Sequence, residues 1–352
     1  MSKHINVILS DNTKLNEFLS CGFVIQKPQT EEIWLGYGEG ESQDPSFYLS
    51  PFYCNKFEHF NCKEVVKTDL KTLILWAESH FQQQTKIKSI NNSDNDFLRD
   101  VHQMVDWIKN NTELKKLVGV TNSDYEFIEK EHPISKIKNL AELNGSLYGM
   151  WKDGSGFIGA SPEPLFVKDL DKWKTRALAG TISTNLKNFK EILKNDPKEV
   201  EEHNLVISDI KNKLTPYSNQ INIEDTTCIK FGDIAHLQTE ISFETKEPVT
   251  SENLIDFLSP TAALGGYPDE LVYDYLQKLN YYQLEKDNRV FGGVFGIDIP
   301  GESFSLVAIR NVFWTTNKMT IHSGCGVVEN SIPANEMKEV QNKRAVIERI
   351  FI

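Results

Sequence analysis

The chain has 352 residues, 39% of them apolar and 25% charged, and carries a formal net charge of -12. That is enough apolar material for a substantial core in one large domain or two smaller ones. The negative balance argues against broad attraction to nucleic acid or an anionic membrane, so an anionic ligand needs a local cluster of basic groups. Five cysteines, Cys21, Cys54, Cys62, Cys228 and Cys325, form an odd set without a CxxC pair. This argues against a disulfide framework or a zinc site and for reduced thiols. The start, Met1-Ser2-Lys3-His4-Ile5-Asn6-Val7, has no apolar signal core, and no run of about 18 apolar residues occurs. The expectation is a cytoplasmic protein that does not span a membrane.

Residues 15 to 80 carry short apolar and aromatic runs between turn formers, such as Gly22-Phe23-Val24-Ile25 and Glu32-Ile33-Trp34-Leu35-Gly36-Tyr37. They read as strands of an antiparallel sheet. Residues 85 to 97, rich in Asn, Ser, Lys and Asp, read as the most loop-like stretch. Phe97 to Asn110 then shows helical spacing through Val101, Met104, Val105 and Ile108. From Gly145 onward strand-like runs recur at Ser146 to Trp151, Gly156 to Ala160, Lys174 to Ala179, His236 to Phe243, Val290 to Ile297, Ser303 to Thr315 and Lys318 to Ser323. Helical patterns at 197–214, 268–279 and 333–351 separate them. No short-period repeat is present and hairpins dominate over βαβ alternation, so the expected fold is α+β with extensive antiparallel sheet.

Glu199 and Glu202, and far downstream Glu336 and Glu339, are two acid pairs at i,i+3 spacing on separate helical segments. Such pairs can converge on one hard divalent cation, and Lys343, one turn further on, can meet an anionic ligand. Each has a plainer reading. Asp196-Pro197-Lys198-Glu199 fits an N-cap, a first-turn proline and a reciprocal capping glutamate. Glu339 and Lys343 fit a surface ion pair, although the nearby Gly324-Cys325-Gly326 would let a ligand approach the backbone closely. Glu202 falls beside the stripe Val200, His203, Ile207, Ile210 and Leu214, at a margin that can reach a cleft. His203, on the stripe, reads as a core histidine. Strand alternation sets Arg310 on one face with Leu306, Ala308 and Val312, where a guanidinium needs a carboxylate from the protein or from a ligand.

Six segments in order carry a family resemblance: Gly159-Ala160-Ser161-Pro162-Glu163-Pro164-Leu165, Ala177-Leu178-Ala179-Gly180-Thr181, Glu201-Glu202-His203-Asn204-Leu205-Val206, His236-Leu237-Gln238-Thr239-Glu240-Ile241, Pro260-Thr261-Ala262-Ala263-Leu264-Gly265-Gly266-Tyr267-Pro268, and Gly324 to Lys343. Together they resemble the chorismate-utilising enzymes: isochorismate synthase, salicylate synthase, and the large subunits of anthranilate and aminodeoxychorismate synthases. The resemblance is strong from about 145 to 352. It implies a single large chorismate-binding domain over 1–352, with antiparallel sheets flanked by helices as in the anthranilate synthase large subunit. Within it, 1–110 is the less typical part and 111–352 the motif-bearing catalytic part.

The resemblance further implies chorismate as substrate and Mg2+ as cofactor, with neither nucleic acid nor membrane as partner. Glu202 and Glu339 match the family's metal ligands, with Glu199 and Glu336 in supporting positions. Gly180, Thr181, Thr261, Arg310, Gly324, Gly326 and Lys343 match substrate-binding positions, and His236 the histidine near the reacting ring. Lys116, in Leu114-Lys115-Lys116-Leu117, matches the general base, with Lys115 the alternative one register away. Thr239 and Gly265-Gly266-Tyr267-Pro268, followed by Asp269, are similar to the isochorismate synthase version of these segments.

One position departs from that pattern. Arg176 stands where isochorismate and salicylate synthases carry an acidic glutamate, and a guanidinium cannot donate a proton near neutral pH. Three readings follow: an isochorismate synthase serving menaquinone or siderophore biosynthesis, an ammonia-adding relative that needs ammonia or a glutaminase partner, and a non-catalytic chorismate-binding homologue.

Overall fold

Among the described residues of the computed structural model, nineteen strands build two antiparallel sheets of ten and nine strands. The structure describes residues 11–41, 45–53, 56–81, 86–129, 131–169, 172–284 and 289–352. Met1 to Val7 and Cys54 lie outside them. The first part comprises α1 (Asn12–Ser20), β1 (Cys21–Gln26), β2 (Glu32–Tyr37), β3 (Ser46–Ser50), β4 (Glu58–Asn61), β5 (Glu64–Asp69) and α2 (Leu70–His80). Strand β6 (Lys86–Asn92), helix α3 (Asp94–Asn110), strand β7 (Lys116–Glu129) and the short α4 (Ile137–Ala141) follow. Next come β8 (Ser146–Lys152), β9 (Ser155–Ser161), β10 (Pro164–Asp169), β11 (Lys172–Ser183), α5 (Phe189–Asn195) and α6 (Pro197–Leu214). Then β12 (Ser218–Ile223), β13 (Thr227–Phe231), β14 (Ile234–Thr245), α7 (Ser251–Leu258), β15 (Gly266–Tyr267), α8 (Asp269–Leu276) and α9 (Asn280–Leu284). The chain closes with β16 (Val294–Ile299), β17 (Glu302–Val307), β18 (Asn311–Trp314), β19 (Lys318–Val328) and α10 (Pro333–Phe351).

The first sheet runs β15-β7-β19-β18-β9-β8-β1-β2-β5, with β6 also on β7; the second runs β12-β14-β11-β10-β17-β16-β3-β4, with β13 also on β14. Strands from before residue 110 therefore share both sheets with the later ones. Apolar faces of the two sheets and of the helices pack into continuous clusters; Val206, Ile210 and Leu214 of α6 and Val340 of α10 are fully buried in the largest of them. Each such side chain contributes roughly 1.5–3 kcal/mol of transfer free energy. Four cysteines, Cys21, Cys62, Cys228 and Cys325, are free thiols. No helix among the described residues is long and apolar enough to cross a membrane.

Several local readings change in the tertiary setting. Residues 86–92, expected as loop, form β6 because they pair with the long β7. Residues 70–80, inside a stretch read as strands, form α2, which starts where the Asp69 side chain accepts the Thr72 amide. The run from Ser303 to Thr315 is not one strand. β17 belongs to the second sheet and β18 to the first, and the chain turns between them at Arg310, whose φ is 57°. Simple alternation therefore does not set the direction of Arg310. A second crossing takes the chain from β9 to β10 at Pro162-Glu163. The two crossings are bonded together: Val307 N donates to Glu163 O at 2.9 Å, and Ser161 Oγ to Val307 O at 2.7 Å.

Candidate active site

The pocket lies where these crossings meet the ends of β7, β11, β14 and β19 and the helices α6 and α10. Its lining includes Glu163, Gly180, Thr181, Glu202, His236, Ala263, Leu264, Arg310, Gly324, Gly326 and Lys343. Eleven of the thirteen positions expected from sequence line it or join the carboxylate cluster at its edge. The other two, Lys116 and Thr261, are buried one layer back.

Helix α6 starts as expected at Asp196, whose side chain accepts the Lys198 and Glu199 amides at 3.0 and 3.2 Å. Glu199 is not its reciprocal cap. Its carboxylate instead accepts the Thr181 amide at 2.7 Å, tying α6 to the bend of β11 at Gly180, whose φ of +73° requires glycine. Glu202, one turn on, is buried and lies 3.0 Å from Lys116 Nζ. The pair is ionic, and its angle leaves Lys116 Nζ without a hydrogen bond. Gly326 faces this pair: a Cβ there would collide with Glu202 Oε1 and with Lys116 Cε at 2.5 Å.

On α10, Lys343 contacts Glu339 at 2.6 Å and donates to Gly324 O at 2.9 Å. Both side chains are about nine-tenths buried, so this is not the surface pair that spacing also allowed. Glu336 is buried, and its Oε2 has no partner. Three of the four acids meet at Lys198, whose Nζ is 3.0 Å from Glu199, 3.1 Å from Glu336 and 3.6 Å from Glu202; the fourth, Glu339, is held by Lys343. Burial pulls the Lys198 ammonium towards neutrality, but Glu202, Glu339, Glu336 and Glu199 outweigh it and push its pKa well up. Burial raises the Glu199 carboxyl to about 7 and raises Glu336, helped in both by Glu339. Glu202 and Glu339 end lowered, because Lys116 and Lys198 in the first case and Lys343 and Lys198 in the second overcome the burial that opposes them.

Four carboxylates with an unpartnered buried oxygen among them are the all-oxygen donor set that suits magnesium. The chemistry fits. The spacing is closed on an ammonium: among the described residues no group of three or more His, Cys, Asp or Glu side chains is arranged to hold a metal ion.

Opposite the cluster, Arg310 Nη2 donates to His236 Nε2 at 3.2 Å. Arginine cannot accept, so His236 carries its proton on Nδ1, which donates to Gly180 O at 3.0 Å. Burial, then the Arg310 charge, hold His236 far below its usual pKa, so it is neutral. Here it orients the guanidinium. Burial lowers Arg310 only to about 10, and it remains charged.

Glu163 received no role from sequence. It lines the pocket fully buried, with Oε1 unpartnered, and burial pushes its carboxyl up to about 8 against the pull of Lys116, Arg310, Arg176 and Lys343. Its signal was present: an acid between two prolines in an otherwise small and apolar segment. Arg176 faces elsewhere. It donates to Pro162 O at 3.1 Å and lines two neighbouring cavities. Thr261 is buried behind the pocket, where its carbonyl closes the turn onto the Leu264 and Gly265 amides, each at 2.9 Å. His203 is the core histidine expected, its Nε2 2.8 Å from Thr239 Oγ1.

The isochorismate synthase MenF of Haemophilus influenzae is 26% identical over 68% of this chain and 56% of its own length. Anthranilate synthase component 1 of Neisseria gonorrhoeae is 29% identical over 62% of this chain and 46% of its own. The chain spans about half the length of the curated relatives it matches. The crystal structure of a 2,3-dihydroxybenzoate-specific isochorismate synthase, DhbC, from Bacillus anthracis superposes with a TM-score of 0.81 over 98% of both chains at 22% identity, which establishes the fold. Residues 47–351 match the family described as chorismate binding enzyme, and the chain belongs to that family.

Proposed function

We propose that the protein is an isochorismate synthase, a magnesium-dependent isomerase of chorismate that acts in the cytoplasm and supplies menaquinone or siderophore biosynthesis. The observation that carries this reading is one pocket in which a proton-bearing carboxyl, Glu163, shares the walls with the Arg310 guanidinium and the Lys343 ammonium beside an all-oxygen carboxylate cluster. Glu202 and Glu339, with Glu199 and Glu336 behind them, would hold magnesium, which when bound supplies a Lewis acid for a substrate carboxylate. Arg310, oriented by His236, and Lys343 would bind the substrate's carboxylates. Gly180, Thr181, Gly324 and Gly326 would shape the walls.

Lys116, once it has released its own proton, would take a proton from the water that attacks one ring carbon. Glu163 would give its proton to the hydroxyl leaving another, with the ring double bonds shifting between them. One water enters and one leaves, so the product is an isomer of the substrate. Glu163 thereby supplies the proton that Arg176 cannot.

A second reading, an ammonia-adding synthase subunit, is favoured by Arg176 itself and would require ammonia or a glutaminase partner. Incubating the protein with chorismate and magnesium, with and without ammonium, and resolving products by chromatography and mass separates the two. Isochorismate formed without ammonium is the expected result. An amino product that needs ammonium would replace the isomerase reading, and bound chorismate without any product would replace both.

A further inference from the structure

The four acids do not simply repel one another in this structure. Lys198 Nζ stands among them, within 3.6 Å of three, on a side chain about four-fifths buried. The lysine is on the first turn of α6, so its Cα is fixed by the Asp196 cap and by the helix. The lysine, however, also lines a cavity of about 530 Å³ between α6 and the start of α10, which Glu199, Glu336 and Glu339 border on one side and Asp196 and Asn335 also line. Rotation about the lysine's own torsions can therefore carry the ammonium from the acids into that cavity with no movement of backbone.

The charges indicate when that happens. With the four carboxylates ionised, Lys116, Lys198 and Lys343 leave one negative charge uncompensated, and Glu336 Oε2 is the oxygen without a partner. A dication added while Lys198 stays would face an ammonium in the same carboxylate shell. A dication that replaces Lys198 brings the cluster to neutrality. Such a replacement costs the ion-binding equilibrium the fraction of molecules whose lysine is withdrawn.

We propose that Lys198 is an internal counter-cation that closes the carboxylate cluster in the ion-free protein and swings into the adjacent cavity when a divalent cation binds, so that this residue sets the affinity for the ion. The proposal rests on the metal reading of the cluster given above.

The test titrates EDTA-treated protein with magnesium chloride, without chorismate, by calorimetry and by thermal unfolding. Lys198→Met keeps the length and removes the charge. It is expected to bind magnesium roughly tenfold or more tightly if the withdrawn state is under a tenth of the wild-type population, and to melt lower when ion-free. Lys198→Arg keeps a charge in the cluster and is expected to retain ion-free stability and bind magnesium no more tightly than wild type. This second variant also serves if Lys198→Met does not fold. Equal or weaker binding by Lys198→Met, with the wild type binding normally, would overturn the lysine's role and leave the metal reading intact. An absence of heat and of any melting shift with magnesium in the wild type would overturn the metal reading and the proposal with it.

Discussion

The two ends of the pocket treat the same side chain in opposite ways. At the cluster end Glu202 is buried and Glu339 about nine-tenths buried, yet Lys116, Lys198 and Lys343 lie close enough to keep them ionised. At the crossing end Glu163 is buried at least as deeply, but Lys116, Arg310, Arg176 and Lys343 act on it only at a distance, and its carboxyl rises to about 8. Burial is common to both, so the balance of close cations against neighbouring acids decides whether a glutamate keeps its charge: Glu199 and Glu336, which share Lys198 with the other acids, end raised although they touch it. The pocket thus holds charge-bearing and proton-bearing carboxyls side by side at neutral pH.

The largest effect should come from breaking the ionised end. Glu202→Gln or Glu339→Gln is expected to reduce magnesium-dependent turnover by about a thousandfold or more, the loss of a hard ligand and of its charge. Both variants should remain folded by circular dichroism, and retained turnover in both would refute the metal assignment. At the other end, Glu163→Gln should lower kcat by about 10²–10⁴-fold.

The pH dependence sharpens the same contrast. A general acid must hold its proton, so wild-type turnover should fall as pH rises through about 8, where Glu163 ionises. Its stability contribution has a fixed sign. The ordinary carboxyl loses its proton near 4.5 and the folded one near 8, so between these values only the unfolded chain is ionised and stability erodes as pH rises. Glu163→Gln escapes that loss and should melt higher than wild type at pH 8, by up to about 4 kcal/mol.

A smaller loss is expected where α6 supports the pocket from behind. Asp209 accepts the Ala262 amide at 2.8 Å and lies 3.4 Å from Lys213, holding the turn that carries Ala263 and Leu264. Asp209→Ala leaves that amide unpaired and should cost about 1–3 kcal/mol in thermal or urea unfolding, with a rise in KM larger than the fall in kcat. The smallest effect belongs to Arg176→Gln. Removing one of the distant cations that restrain Glu163 should move the alkaline limb of the pH profile upward while changing kcat less than Glu163→Gln does. A large loss of kcat would instead place Arg176 in the chemistry.

Local rules made much of this legible. The Asp196-Pro197 start of α6, the His203, Ile210 and Leu214 part of its apolar stripe and the i,i+3 acid pairs are short-range patterns found where the spacing put them, whereas Val206 is buried in place of the half-buried Val200 and Ile207. Motif order identified the family without any tertiary information. Two of the misreadings share one cause: residues 86–92 and 303–315 take their form from strands far away in sequence. β6 exists because β7 offers an edge, and Arg310 turns at the point where the chain leaves one sheet for the other.

By itself, then, the sequence determined α3, α6, α8 and α10, many of the strands, the family and the places of the paired acids and of Lys343 on α6 and α10, because these follow from residue type, motif order and periodicity within a few turns. Only the tertiary structure decided that Lys198 stands among the acids, that Glu163 faces the pocket while Arg176 does not, and that His236 holds Arg310. Those outcomes depend on which charges are brought within a few ångströms of one another in a low-dielectric interior, and that distance is set by the crossing of two sheets.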